Sequence, residues 1–349
     1  MAEISYCTRE QVQDTLQLAD STRLNARIDS AIRQMSRDIE GLCHRFFYPW
    51  TGTRTFDQPD GLSLWLYQNE LAGAPTLITS GSTTMAVADY ILQPVAGPPY
   101  TWIDVNQGGT NFWTSNQTTQ RAVSITGTFG YPTSTATATT LVGNINSSTF
   151  VLTIADSSQV GVGQLCLAES ERFVVLEKAP IVTGATLNGG LTANKAEIAI
   201  TVSDGTLIKA GERVRVDGEW MRVNDIAGNV LYVTRAVNAT VLAAHLSGAA
   251  VYAPRLLTVD RGQLGTAAAA HLTGVTISNI LPPSFVTECA IAGAEVAVSQ
   301  GASGYARPVG AGSGTGGNSR DAVGEGLADL MERLYQRYGR KGRSRVVGT

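Results

Sequence analysis

LNARIDSAIRQMSRDIEGLCHRF, residues 24–46, is the stretch the chain is organised around. Its apolar side chains fall at Leu24, Ile28, Ile32, Met35, Ile39, Leu42 and Phe46, at steps of three or four. That spacing predicts a helix with one apolar stripe. Ser21 or Thr22 supplies a cap at its start, and Tyr48-Pro49 ends it. The helix is about six turns long, roughly 34 Å. A stripe of this kind needs a partner, and the chain offers one only near residue 285.

Before that stretch, Thr8-Arg9-Glu10-Gln11 reads as a capping box opening a short helix with Val12, Leu16 and Leu18 on its apolar side. After it the period changes to two. Thr53–Phe56, Leu62–Leu66, Leu77–Thr79, Tyr90–Gln93, Thr101–Val105 and Ala122–Thr128 read as strands, separated by Gly- and Pro-containing turns. Thr133–Thr140, a Thr/Ala/Ser run without periodicity, reads as a connector.

Past residue 140 lies an internal repeat. Leu152-Thr153-Ile154, Asp156, Gly163, Glu171 and Val175 match Ile200-Thr201-Val202, Asp204, Gly211, Glu219 and Val223 at an offset of 48. Leu231-Tyr232-Val233, Arg235, Thr240 and 243–248 match Leu257-Thr258-Val259, Arg261, Thr266 and 269–274 at an offset of 26. Two offsets exclude a plain tandem duplication and fit nesting. The inner unit is continuous over 196–252, and the outer one is split into 150–176 and 256–277. A tight turn is the easiest place to accept such an insert, because its ends are adjacent and exposed. Each unit is expected to be a small β-barrel or roll.

Leu281-Pro282-Pro283-Ser284 restarts a helix, with a narrow stripe expected at Phe285, Cys289, Ala292 and Val296. Residues 301–318 hold seven glycines and read as a flexible linker. A last helical pattern follows over 319–349, with Leu327, Leu330 and Leu334 on its stripe and Gly339 as its stop. It ends in a basic tail.

Composition bounds the function. A net charge of −3 does not by itself call for a nucleic-acid or membrane partner. The cysteines at 7, 43, 166 and 289 form no C-x-x-C pair and read as small buried hydrophobes. MAEISYCTRE lacks the basic and apolar regions of a secretion signal. No apolar run reaches the ~18 residues of a membrane span. The expectation is a soluble intracellular product with no membrane partner.

His245 and His271 stand at equivalent repeat positions, but without an acidic or Cys ligand at metal spacing they read as a consequence of duplication. Glu171 and Glu219 are equivalent too, and each reads as paired with the arginine of its own unit, Arg261 or Arg235. Phosphate-loop, G-x-S-x-G and H-E-x-x-H patterns are absent from the sequence. Neither catalytic residues nor a metal or other cofactor are expected.

Two sets of residues resemble the head-tail connector proteins of tailed bacteriophages, also called adaptor or head-completion proteins. One is the opening from Tyr6-Cys7-Thr8 to Phe47. The other is Ser124–Pro132, ending in Gly130-Tyr131-Pro132, together with Leu281–Val286, joined by Gly97–Ile103. In that family a strand ending in Gly-Tyr is soon followed by a Pro-started, Ala-rich helix. Here residues 133–280 intervene. The fold expected from residues and resemblance together is α+β. Residues 1–132 with 281–300 form a helical connector domain with a β meander. Residues 133–280 form an all-β insertion, and a C-terminal helix hangs on the linker.

The resemblance implies a non-enzymatic virion protein of the phage neck, made in the host cytoplasm. It implies a homo-oligomeric ring, commonly a dodecamer, seated under the portal protein. A further neck or tail-completion protein would bind below, and double-stranded DNA would pass through the channel without sequence-specific contact. Within that picture Leu327, Leu330, Leu334, Arg337, Arg340, Lys341, Arg343 and Arg345 are the candidate portal-docking set. Nucleic-acid contact and a solvated end are the other readings of the tail. A glycan-binding or capsid-decorating module is the competing reading of the whole chain, resting on the Thr/Ser/Gly-rich repeat with Trp220 and Tyr232.

Overall fold

The computed structural model describes residues 3–16, 24–302 and 319–340. It is a mixed helix and strand protein, mostly β-sheet, with four helices among the described residues. Helix α1 (Arg9–Leu16) opens on the expected capping box. Thr8 N–H donates to Gln11 Oε1 at 2.8 Å, and Gln11 N–H to Thr8 Oγ1 at 3.3 Å. Leu18 and the expected caps Ser21 and Thr22 lie outside the described residues.

Helix α2 (Asn25–Cys43) buries Ile28, Ile32 and Ile39 of the expected stripe. It stops before Phe46, at His44 in a left-handed conformation (φ 51°). The helix cannot continue because the next backbone groups are engaged elsewhere. Tyr131 N–H donates to Phe46 O at 2.7 Å, and Phe47 N–H to Tyr6 Oη at 3.0 Å. Helix α3 (Ser284–Ala302) packs against α2, as the stripe argument requires. Its buried face is Val286, Cys289, Ala290, Ala294 and Val298, one position round from the expected Phe285, Ala292 and Val296. The sequence of α3 is apolar around most of its circumference, so periodicity fixes its face poorly. The contact is close: a Cβ on Gly293 would overlap the Met35 thioether. Cys7, Cys43 and Cys289 are buried in this helical core, and burial pushes their thiols up to about 12, 11 and 11.

The meander consists of β1 (Trp50–Phe56), β2 (Ser63–Trp65), β3 (Leu77–Ser80), β4 (Thr83–Thr84), β5 (Tyr90–Gln93), β6 (Trp102–Val105) and β7 (Val123–Phe129). The six strands read from the sequence are all present, with β4 added. They form two antiparallel sheets, ordered β1-β7-β3-β4 and β2-β6-β5. Phe56, Leu64, Ile78, Ile103, Ile125 and Phe129 fill the core between them.

The remaining strands are β8 (Ser134–Val142), β9 (Val151–Ile154), β10 (Leu165–Ala168), β11 (Glu171–Thr186), β12 (Ala199–Thr201), β13 (Arg213–Val216), β14 (Glu219–Ala227), β15 (Val230–Val237), β16 (Ala250–Asp260) and β17 (Thr276–Leu281). They make one ten-stranded sheet. Hydrogen-bonded neighbours run from β11 through β10, β17, β8, β9 and β16, and a further β16–β11 pairing returns to the start. The first repeat half therefore pairs with 256–281, through β9–β16 and β10–β17.

Two separate cores result. Leu152, Ile154, Cys166, Phe173, Val175, Leu257, Val259 and Ile277 fill one, and Ile200, Val202, Val214, Met221, Val223, Leu231, Val233 and Val251 fill the other. Three expectations need correcting. Residues 133–140 are not a connector: β8 is a strand bonded to both β17 and β9, and Ala138 and Leu141 enter the first core. Threonine suits a pleated strand even where large apolar residues are few. The outer segment does not end at 176, since β11 continues to Thr186. The boundary drawn between 252 and 256 lies inside the continuous strand β16.

The last helix, α4 (Ser319–Tyr338), ends as expected before Gly339, whose N–H donates to Tyr335 O at 2.7 Å. No helix among the described residues is long and apolar enough to cross a membrane.

Candidate functional site

The C-terminal helix was expected to offer its stripe to a partner. In the structure it lies on α2 and α3 of its own chain. Leu334 is fully buried and Tyr338 nearly so, in the core that holds Ile32, Ile39 and Cys289. Leu330 packs on the edge of that core, and Leu327 is half-buried. The guanidinium of Arg337 is exposed, 5.3 Å from the Tyr338 ring centre. Lys341, Arg343 and Arg345 lie outside the described residues. Of the expected docking set, Leu330, Leu334 and Arg340 thus serve the protomer, while Arg337 faces outward.

The end of α4 is held by a junction that sequence spacing does not reveal. Tyr338 meets Phe47 and Tyr131 edge-on, with ring centres 5.7 and 5.5 Å away. Arg340 N–H donates to Cys43 O at 3.0 Å. Its guanidinium lies 3.3 Å from the Glu70 carboxylate, which is 1% exposed, and Arg45 approaches the same group at 3.7 Å. Burial raises the Glu70 carboxyl above its ordinary range, although Arg45 and Arg340 pull it down. Glu70 sits in a loop, and its partners come from the two ends of the helical domain. No local pattern could have flagged it.

The repeat places a second kind of site, twice. Arg235 donates from Nε to Glu219 Oε1 at 3.0 Å and from Nη2 to Oε2 at 2.7 Å. It also donates to the carbonyls of Thr192 and Ala243, at 2.7 and 2.6 Å. Glu219 accepts the N–H groups of Ala236 and Ala243 as well. His245 bridges Glu219 and Asp217, at 2.9 and 2.8 Å. The other unit repeats this arrangement. Arg261 pairs with Glu171 at 2.9 and 2.5 Å and also donates to Ala269 O. His271 bridges Glu171 and Glu169, both at 2.8 Å.

The glutamate–arginine pairs are those the repeat implied, and the histidines are part of the same pins. Asp217 and Glu169, the outer carboxylates, were not foreseen. Their signal was present in the sequence, two residues before each repeat glutamate. Burial alone would raise Glu219 and Glu171. The arginine bonds, a backbone N–H and the histidine outweigh it, so both carboxyls sit below the ordinary range. Each carboxylate is engaged by its own arginine on a buried pin rather than facing the other across a cleft. Such pins fix two loops, 191–194 and 243–245, and their counterparts, against the strands.

No family model, no curated protein and no solved structure matches the chain.

Proposed function

We propose that the chain is a non-enzymatic structural component of a tailed-phage neck. Copies form a ring, on the resemblance a dodecamer, that binds the portal protein and extends the channel through which duplex DNA passes. The other face of the ring receives the next neck or tail-completion protein. Within this reading residues 133–280 are an insertion built of two nested, barrel-like units.

One observation carries the proposal. Ser134 pairs directly with Leu281 at the ends of β8 and β17. The two connector-like pieces therefore meet where the family has a short link, and the insertion leaves and re-enters at one point. A second observation agrees with assembly. Leu62, Tyr67, Leu77, Val87, Ile91, Val95 and Phe112, all on the meander segment, are exposed in the single protomer. Exposed apolar side chains also occur on the β insertion, at Phe150, Val241 and Leu246 among others, and each is available to a neighbouring copy or partner. The exposed Arg337, with Lys341, Arg343 and Arg345 after it, are the remaining candidates for portal contact.

The test is assembly state. Sedimentation and electron microscopy of the purified full chain, alone and with a portal, should show closed rings of about twelve copies that stack on the portal. A chain that stays monomeric at about 50 μM, with portal present, would refute the proposal.

A further inference from the structure

The two repeat units use one equivalent surface differently. In the outer unit the turn Gln263-Leu264-Gly265-Thr266 receives β1. Thr51 N–H donates to Leu264 O at 2.9 Å, and Arg172 Nη1 donates to Thr51 Oγ1 at 3.0 Å. A Cβ on Gly265 would overlap Thr51 O, so glycine is required for this approach. Leu264 is buried beside Ile4 and Leu165.

The repeat offsets put Trp220 where Arg172 stands, and Asn238 and Ala239 where Leu264 and Gly265 stand. The backbone is the same. Thr240 Oγ1 accepts Trp220 N–H at 3.0 Å, as Thr266 Oγ1 accepts Arg172 N–H at 3.0 Å. Asn238 and Leu264 share a left-handed φ, 56° and 54°. Among the described residues no backbone N–H donates to Asn238 O. The methyl of Ala239 stands at the position that Gly265 keeps clear for a strand. The inner surface has therefore lost the outer unit's way of docking and gained an indole and an amide.

Trp220 and Asn238 line a cleft of about 480 Å³ between α1 and both repeat units, with Gln159 on the outer unit's side. That volume lies in the range of small-molecule sites. Each cation in the cleft has a carboxylate near it. Arg9 pairs with Asp29 at 2.5 Å, Lys178 with Glu10 at 3.5 Å, and Arg213 and Arg222 share Asp14 at 3.1 and 3.3 Å. An anion would have to compete with a carboxylate at every one of them. Neutral hydrogen-bonding capacity is left over among the described residues: Asn238 uses only its Oδ1, on Arg213, and the exposed Gln159 is engaged only through its backbone carbonyl, by Asn279. Arg215 stands over the Trp220 ring, 5.9 Å from its centre, so a ring with one apolar face and hydroxyls at its edge would stack on the other face of the indole, beside the neutral amides.

We infer that this cleft binds a neutral sugar of one or two pyranose rings, stacked on Trp220 and hydrogen-bonded by Asn238 and Gln159.

The full chain is titrated with glucose, galactose, N-acetylglucosamine, maltose and chitobiose, with AMP as an anionic aromatic control. Binding is followed by saturation-transfer NMR. The expected result is saturable binding of at least one sugar in the millimolar range. It should weaken about tenfold in Trp220→Ala and Asn238→Ala, and be unchanged in Tyr232→Ala, an exposed aromatic outside the cleft. If Trp220→Ala fails to fold, Trp220→Phe serves, with a several-fold loss expected. The inference is overturned if no sugar binds at about 50 mM, if binding survives both cleft substitutions, or if AMP binds and the sugars do not.

Discussion

Replacing Arg235 by Met tests whether the repeated pins hold their units together. The Arg235 side chain is 0% exposed and so is that of Glu219. The substitution keeps most of the apolar stem and removes the charge. Glu219 is then left as a buried carboxylate with two backbone N–H groups and His245, and the carbonyls of Thr192 and Ala243 lose their donor. Breaking a buried pair in this way costs about 3–5 kcal/mol, because the remaining charge is uncompensated. At 1.4 kcal/mol per tenfold, amide exchange in β12–β15 should accelerate by about two to four powers of ten if these strands exchange through opening of the inner core.

Hydrogen-exchange mass spectrometry reads this strand by strand. The strands β9 and β10 fill the other core and should keep most of their protection; Arg261→Met should give the mirror result. An acceleration below about tenfold, or an equal one in both cores, would refute the view that each pin serves its own unit. The pH dependence has a definite sign. Glu219 and Glu171 have folded pKa values below their unfolded ones. Their contribution is present above the unfolded glutamate value of about 4.3, and is lost as pH falls through the folded value. In wild type, protection in both cores, taken relative to the intrinsic exchange rate at each pH, should therefore fall as the pH is taken below about 4.

Three further outcomes are expected. Leu334→Ala empties a fully buried position in the helical core and should cost about 2–5 kcal/mol, seen as a lower midpoint in urea by circular dichroism; an unchanged midpoint would mean α4 is not docked in solution. Replacing 135–279 by a short Gly/Ser loop should leave a soluble, cooperatively melting remainder, since Ser134 and Leu281 are already paired; an insoluble product counts against the insertion reading. Deleting the residues after Arg340 should preserve folding and weaken portal binding, and added salt should weaken the full chain more than the shortened one. Equal binding at low salt removes the tail from the docking surface. Truncation as early as Gly312 would be a poor test, because it also takes Leu334 and Tyr338 out of the core.

The sequence was most legible where local rules and long-range pattern agree. The Thr8–Gln11 box, the α2 stripe and the meander strands follow from spacing, and the glutamate–arginine pairs follow from the two offsets. Where one side of that agreement was missing, the reading failed. β8 has strand-forming threonines but few large apolar residues, and its place is set by two neighbours distant in sequence. The face of α3 is chosen by where Gly293 lets Met35 approach, not by its own periodicity. The docking of α4 depends on Phe47, Tyr131 and Glu70, three groups that no helical repeat connects. Trp220 stands in the sequence as an aromatic of the repeat, yet its cleft depends on the position of α1.

The strands β11 and β16 explain why the repeat boundaries were placed too early. They pair from Val174–Asp260 at one end to Thr186–Ala250 at the other. Phe173, Val175, Leu257 and Val259 face the first core, while Ala185 and Val251 face the second. One pair of strands therefore serves both cores, and the join has no linker. Register shifts between Val175 and Glu177, Ala179 and Ile181, and Val182 and Thr186 lie along the same ladder. Irregularities of this kind bend a strand and increase its twist, which lets the ladder leave one core and enter the next. A hairpin that accepted an insert at its turn would grow in just this way, by lengthening its two arms. The arms then carry no signal in composition, because every residue along them remains a strand residue. The same continuity ties the inner unit to the outer one through two hydrogen-bonded strands, so the cleft at Trp220 is held against α1 by paired backbone as well as by the Asp14 ion pairs.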